Sequence, residues 1–226
     1  MAQSPRNGYE TNPDQIDWLT TYQDKTHLNF LAASLFVFGM ERFKAAKIIE
    51  GLPQLEATYR HYKSGIISLQ TAAKTFTPFM WDWLIDEIRI CLFFENYMKG
   101  ELLYQGYVIH QFKDSTNDKS SRIGQLIKIQ QKQPISTSEL LTQEVKADEL
   151  HRKTINMELM LRTSYQELIR LPSDVLIIVK RMNENRNKLH FASEATGQLG
   201  EADIRDLKLL DAFVDLQKTR LVTPNQ

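Results

Sequence analysis

Apolar and polar positions along this chain recur mostly at helical spacing, and turn residues cut the pattern into blocks. Asn12-Pro13-Asp14 reads as a helix start, with proline in the first turn and an acid beside it. Helical character continues through Trp18 and Leu19, and Leu28 to Ile49 predicts a first long helix. Gly51-Leu52-Pro53 should stop it, because glycine and proline punctuate there. Two shorter helices are expected over 54–62 and 66–76, separated near Ser64-Gly65. Pro78 should open a second long helix, from Phe79 to about Gln105, whose apolar positions Trp81, Leu84, Ile88, Leu92 and Tyr97 mark its buried side. Gly106 ends it, and Tyr107 to His110 could be a short extended piece.

Beyond a polar loop at 113–121, Ile123 to Gln131 is expected to be helical and Pro134 to stop it. Ser136 with Glu139 three residues on is a capping-box pattern, and it predicts a helix that runs to Arg170. Leu171-Pro172-Ser173 breaks that helix. Ser173 or Asp174 caps the next, Val175 to about His190, and after a turn at Gly197 to Gly200 the last helix covers Glu201 to Leu221. No strand-rich region and no internal repeat is visible. The expected fold is therefore all-α: a long-helix bundle with an N-terminal helical extension. Residues 1–12 are expected to be disordered, 13–76 to form the extension and 77–222 the main helical domain.

Composition narrows the choices. Of 226 residues, 42% are hydrophobic and 25% charged, as in a globular chain rather than a disordered one. Nine glycines and seven prolines are too few for a sandwich or barrel with many tight turns. Lys plus Arg and Asp plus Glu both number 28, which excludes a globally basic nucleic-acid binder but leaves room for a local basic groove. The single cysteine, Cys91, lies in an apolar run and reads as a buried thiol. The polar first 15 residues carry no secretion signal, and the most membrane-like run, Leu28 to Met40, is too short to span a bilayer. These features suit a cytoplasmic protein without membrane contact.

The residue types with most chemical content lie in Arg186-Asn187-Lys188-Leu189-His190. On a helix, Arg186 and His190 would share one face, with Cβ atoms roughly 5–6 Å apart. A guanidinium grips phosphate through paired donors, and an imidazole titrates near neutrality. Two basic sets could flank a phosphate backbone: Lys119, Arg122, Lys128 and Lys132 in a stretch without acids, and Lys180, Arg181, Arg186 and Lys188. The plainer readings are a basic helix terminus for Arg186 and His190, an i,i+4 surface ion pair for Glu95 and Lys99, and a satisfied structural histidine for His110. Scattered histidines without paired ligand spacing argue against a metal centre, and the common phosphate-loop, dinucleotide and acyl-transfer signatures are absent.

From Pro78 onward the pattern resembles the HEPN superfamily, helical domains of many prokaryotic ribonucleases and toxin partners. The resemblance rests on Glu95 and Lys99 in the segment before the Gly106 stop, on His110 soon after that glycine, and on Arg186 to His190. Three residues separate the arginine and histidine here, where the family has four to six. The resemblance implies a four-helix core and a metal-independent endoribonuclease without cofactor. His190 would act as base, Arg186 would hold the phosphate and Asn187 would assist. From the two basic sets, Lys188, Arg181, Lys180 and Arg122 would contact substrate, and the resemblance adds Glu95, Lys99 and His110 as secondary site residues. It further implies a homodimer acting on RNA, and an antitoxin or defence-system protein as a possible partner. The rival reading is a noncatalytic helical module for dimerisation or protein docking.

Overall fold

The computed structural model describes residues 18–113, 119–188 and 200–222. The fold is all-α, with one minor two-stranded sheet. Its elements are α1 (Trp18–Gln23), α2 (Lys25–Lys44), α3 (Lys47–Glu50), α4 (Leu52–Lys63), α5 (Leu69–Tyr104), β1 (His110–Phe112), α6 (Arg122–Gln130), α7 (Thr137–Thr142), β2 (Leu150–Thr154), α8 (Met157–Met160), α9 (Thr163–Ile169), α10 (Ser173–Lys188) and α11 (Glu201–Val222). The helix start expected at Asn12-Pro13 lies outside the described residues, as do His190 and most of the expected turn before Gly200.

The central element is α5, 36 residues long, with α2 packed along it. Small residues set how closely the two helices approach. A Cβ at Gly100 would sit 3.1 Å from the Ala32 carbonyl oxygen, and one at Gly39 would sit 3.2–3.3 Å from Asn96 and Phe93. Phe36 and Phe43 of α2 meet Phe93 with ring centroids 5.9 and 5.4 Å apart, and Phe93 also touches Phe94 and Tyr97. Helices α10 and α11 close the other side, where Phe94 and Tyr97 contact Phe213. One cluster of buried side chains runs from Tyr22 to Val214. The expected extension and main domain thus share a single core.

Several expectations need correction. The first long helix ends at Lys44 rather than Ile49, although neither glycine nor proline lies there. The cause is α5: the buried Asp86 carboxylate accepts the Ile48 N–H at 2.9 Å, and Arg89 donates to the Ala45 carbonyl at 2.9 Å. These contacts hold a break between α2 and α3. Pro53 sits in the first turn of α4 instead of stopping a helix, a position where its missing N–H has no intrahelical partner to lose.

Pro78 does not open a helix either. It lies inside α5, which runs across the expected boundary at 76/77. Pro78 and Lys74 are both exposed, so water can take up the carbonyl that the proline leaves free. The expected buried side of that helix is also partly misplaced. Ile88 and Leu92 are 38% and 37% exposed, while Ile90, Phe93, Phe94, Tyr97 and Met98 are buried.

The helix predicted from Ser136 to Arg170 breaks into pieces. Its start is as expected, with the Ser136 hydroxyl accepting the Glu139 N–H at 3.1 Å. But α7 ends at Thr142, Glu144 takes the left-handed conformation (φ 48°), and Leu150–Thr154 becomes β2. This strand pairs antiparallel with β1, with His110 opposite Thr154 and Phe112 opposite Leu150 across an irregular register. The extended piece after Gly106 (φ 80°) is also tied to the α7 start, because Val108 donates to Ile135 and Thr137 donates to Gly106.

Candidate functional site

Residues 95, 99 and 186 come together where α10 crosses α5. Glu95 and Lys99 are one turn apart on α5, and Glu95 Oε1 receives the Lys99 ammonium at 2.6 Å. Its other oxygen, Oε2, lies 3.7 Å from an Arg186 guanidinium nitrogen. One carboxylate thus stands between two cationic side chains and leaves one positive charge over. The pair is no surface ion pair: the Lys99 and Glu95 side chains are 10% and 21% exposed. The Arg186 side chain is 26% exposed, and its contact with Glu95 is an ion pair longer than a hydrogen bond. A guanidinium carries five donors in a planar fork, a geometry suited to a carboxylate or phosphate.

The same seam holds residues that the sequence reading did not select. Glu87, Cys91 and Glu95 follow at i, i+4 and i+8 on α5, a spacing that already places them on one face. Asn185 donates to Glu87 Oε1 at 3.4 Å. Burial raises the Glu87 carboxyl above its ordinary range, opposed by hydrogen bonds from Asn185 and Trp83 and by the charge of Arg181. Burial also pushes the Cys91 thiol up to about 12, with Arg186 opposing and Glu87 and Glu95 adding to the rise. Cys91 is therefore a neutral thiol among carboxylates and no thiolate nucleophile.

His110 requires a correction. It is 2% exposed, and its Nδ1 lies 2.6 Å from the Tyr22 hydroxyl. That hydroxyl accepts the N–H groups of Ile109 (3.1 Å) and His110 (3.3 Å), so its own proton goes to Nδ1. Trp18 covers the ring at a centroid distance of 4.1 Å. Burial, helped by the Lys99 charge, lowers the imidazole to about 4. This is a neutral histidine joining α1 to β1, in accord with the structural reading and unsuited to base catalysis at neutral pH.

A pH dependence follows. The folded value of about 4 lies below the ordinary 6.5, so between these limits the unfolded chain binds a proton that the folded chain does not. The contribution from His110 is complete above pH 6.5 and is lost as pH falls towards 4, by about 3 kcal/mol in all. Glu87 works in the opposite sense. The comparison is therefore wild type against His110→Gln in urea unfolding at several pH values. Equal slopes for the two proteins over this window would contradict the assignment.

The expected substrate contacts are scattered. Arg122 forks onto both Glu149 oxygens at 2.7 Å and also donates to the Gln143 carbonyl, so its donors serve the α6–β2 junction instead of a groove. Arg181 pairs with the buried Asp206 at 2.7 Å and ties α10 to α11. Lys180 and Asn187 are exposed on α10. The Lys188 side chain and His190 lie outside what the structure describes. Among the described residues, no group of three or more His, Cys, Asp or Glu side chains could hold a metal ion, and no helix is long and apolar enough to cross a membrane.

Fold and site thus define an all-α protein with a charged seam of carboxylates and cations between α5 and α10. No protein-family model, curated protein or solved structure matches the chain.

Proposed function

We propose that this protein is a metal-independent endoribonuclease of the HEPN type, working as a homodimer in a toxin–antitoxin or antiphage system. The observation that supports this reading is the meeting of Glu95, Lys99 and Arg186 from segments some 90 residues apart. The resemblance selects Glu95 and Lys99 from one motif and Arg186 from another. The helix alone pairs the first two at i,i+4, but a chance match of short patterns would not need Arg186 to approach Glu95. In the proposed reaction the imidazole of His190 takes the proton of an RNA 2′-OH, and the oxygen attacks the adjacent phosphorus. The P–O5′ bond breaks and the departing oxygen takes a proton from water, which gives a 2′,3′-cyclic phosphate and a 5′-OH end, and the His190 imidazolium returns its proton to solvent. Arg186 holds the nonbridging oxygens as charge builds on them, and Asn187 fixes the backbone. Lys99 holds Glu95 in place, and Glu95 in turn orients Arg186.

The test is incubation with RNA in excess EDTA, with mass analysis of the ends. Wild type should release cyclic-phosphate ends, and His190→Ala should lower the rate by about 10²–10⁴-fold with unchanged circular dichroism. DNA, which lacks the nucleophile, should stay intact. Cleavage that disappears on chelation, or that His190→Ala retains, refutes this mechanism.

A second reading, a noncatalytic dimerisation or docking module, is favoured by one observation. Ile85, Ile88 and Leu92 form an exposed apolar stripe on α5 that leads into the Glu95–Lys99 pair. Growth separates the two readings. Expression of an active ribonuclease slows cells and the His190→Ala variant does not, whereas a docking module gives equal growth for both.

A further inference from the structure

A cavity of about 340 Å³ opens between β1, α6 and α8, outside the charged seam. Its apolar walls include Phe112, Ile155 and Leu159, and its polar lining includes Gln111, Gln130 and Glu158. Both glutamine amides have fixed orientations. Gln111 donates Nε2–H to the Thr154 carbonyl at 2.9 Å, and Gln130 donates to the His110 carbonyl at 2.8 Å. A carbonyl partner on one side identifies that side as the NH₂ group, so the remaining atom of each amide is an acceptor oxygen. Gln130 is 5% exposed and lines the cavity, and its amide oxygen is the atom not turned to the His110 carbonyl.

The cavity offers two oriented carboxamide oxygens, one carboxylate and apolar faces. Arg162 at the rim is held on the Gln131 carbonyl at 2.7 Å. A complementary ligand brings N–H donors on a flat, largely apolar body. A single carboxylate is too little to hold a desolvated polyamine. An anion would meet three acceptors inside the cavity, with only the Arg162 guanidinium at the rim to oppose them, and an aliphatic ligand would leave the amide oxygens unpaired. The volume lies at the small end of ligand sites.

We propose that this cavity binds a nucleobase carrying an exocyclic amine, with the amine donated to the oxygens of Gln111 and Gln130 and the ring between Phe112 and Leu159. The base can come from a free nucleoside or from an unpaired position in RNA, because single-stranded bases are recognised by their edges and faces. The assignment does not depend on the ribonuclease reading, since it needs no turnover.

Calorimetric titration of the full chain tests it, with adenosine, cytidine and uridine as free ligands. Oligo(A) and oligo(U) with 2′-O-methyl riboses serve as uncleavable RNA. Adenosine or cytidine should bind saturably, and uridine, which has no exocyclic amine, about tenfold or more weakly. Gln111→Met should weaken the preferred base by a similar factor. Leu159→Trp, a half-buried substitution that fills the cavity, should abolish binding while the melting transition is kept. Tighter binding of oligo(A) than of adenosine, with the same response to both variants, assigns the site to RNA; no gain from the oligomer assigns it to free nucleosides. Equal affinity for adenosine and uridine, binding that survives Leu159→Trp, or no saturable binding of any amine-bearing base overturns the proposal.

Discussion

Arg186→Ala should lower RNA cleavage by about 10²–10³-fold and leave thermal stability nearly unchanged. The loss in rate follows from the chemistry assigned to the guanidinium. Removing a positioned donor from a developing oxyanion costs about 3–4 kcal/mol of transition-state stabilisation, and Arg186 would supply two such donors together with a charge. The small effect on stability follows from geometry. The Arg186–Glu95 separation of 3.7 Å is an ion pair at a partly exposed position, and Glu95 keeps its 2.6 Å contact with Lys99 when the arginine is gone. Partly exposed pairs of this kind contribute on the order of 1 kcal/mol or less. Arg186→Lys should restore the charge without the planar fork and recover only part of the rate. Single-turnover cleavage alongside thermal melting measures both halves. A large loss of stability in Arg186→Ala would make the seam structural and give weight to the docking reading.

Phe93→Ala should have the largest effect on stability, about 3–5 kcal/mol. Phe93 is fully buried at the point where α2 meets α5, and its ring contacts four others. Gly39 lies against the same ring, so neighbouring backbone already stands as close as it can, and the space left by the ring cannot simply collapse. A typical domain is stable by about 5–15 kcal/mol, so this one truncation removes a large share. Urea unfolding should show a lower midpoint with an unchanged slope. Leu92→Ala on the exposed side of the same helix should cost far less. A similar cost at both positions would mean that the apolar stripe on α5 is covered in solution.

The comparison of these two neighbours also shows where periodicity lost its power. Residues 84–98 are apolar on nearly every side, and several stripes at helical spacing fit them equally well. The stripe through Ile88 and Leu92 satisfies the pattern as fully as the one through Ile90, Phe93 and Tyr97. Only the position of α2, fixed by the small residues Gly39, Ala32 and Gly100, decides which side is covered. Pro78 misled for a related reason. A proline weakens a helix locally, but a helix whose later turns are anchored by Phe93, Phe94 and Tyr97 can continue through it where water solvates the freed carbonyl.

The candidate site was legible in part. Arg186, Glu95 and Lys99 could each be selected by residue type and spacing, but their contact could not be, because it spans 91 positions between Glu95 and Arg186. His110 and Arg122 carried the right chemistry and the wrong surroundings: Tyr22 and Trp18 bury the imidazole, and Glu149 occupies the guanidinium. No local pattern distinguishes a free arginine from an occupied one. The partner is chosen by folding, and the free energy of the pair depends on burial that a linear pattern does not contain.

By itself the sequence determined the helical class, the Ser136 cap, the end of α5 at Gly106 and the start of α10 near Ser173, since these follow from local propensity, capping and backbone freedom. Tertiary structure alone decided the break after Lys44, where Asp86 and Arg89 of α5 supply partners from 38 and 44 residues away. It alone turned Leu150–Thr154 into a strand, because that segment takes its hydrogen bonds from β1, and it alone set Arg186 beside Glu95. In each case the deciding group is distant in sequence, and the chain reaches it only by burying its core.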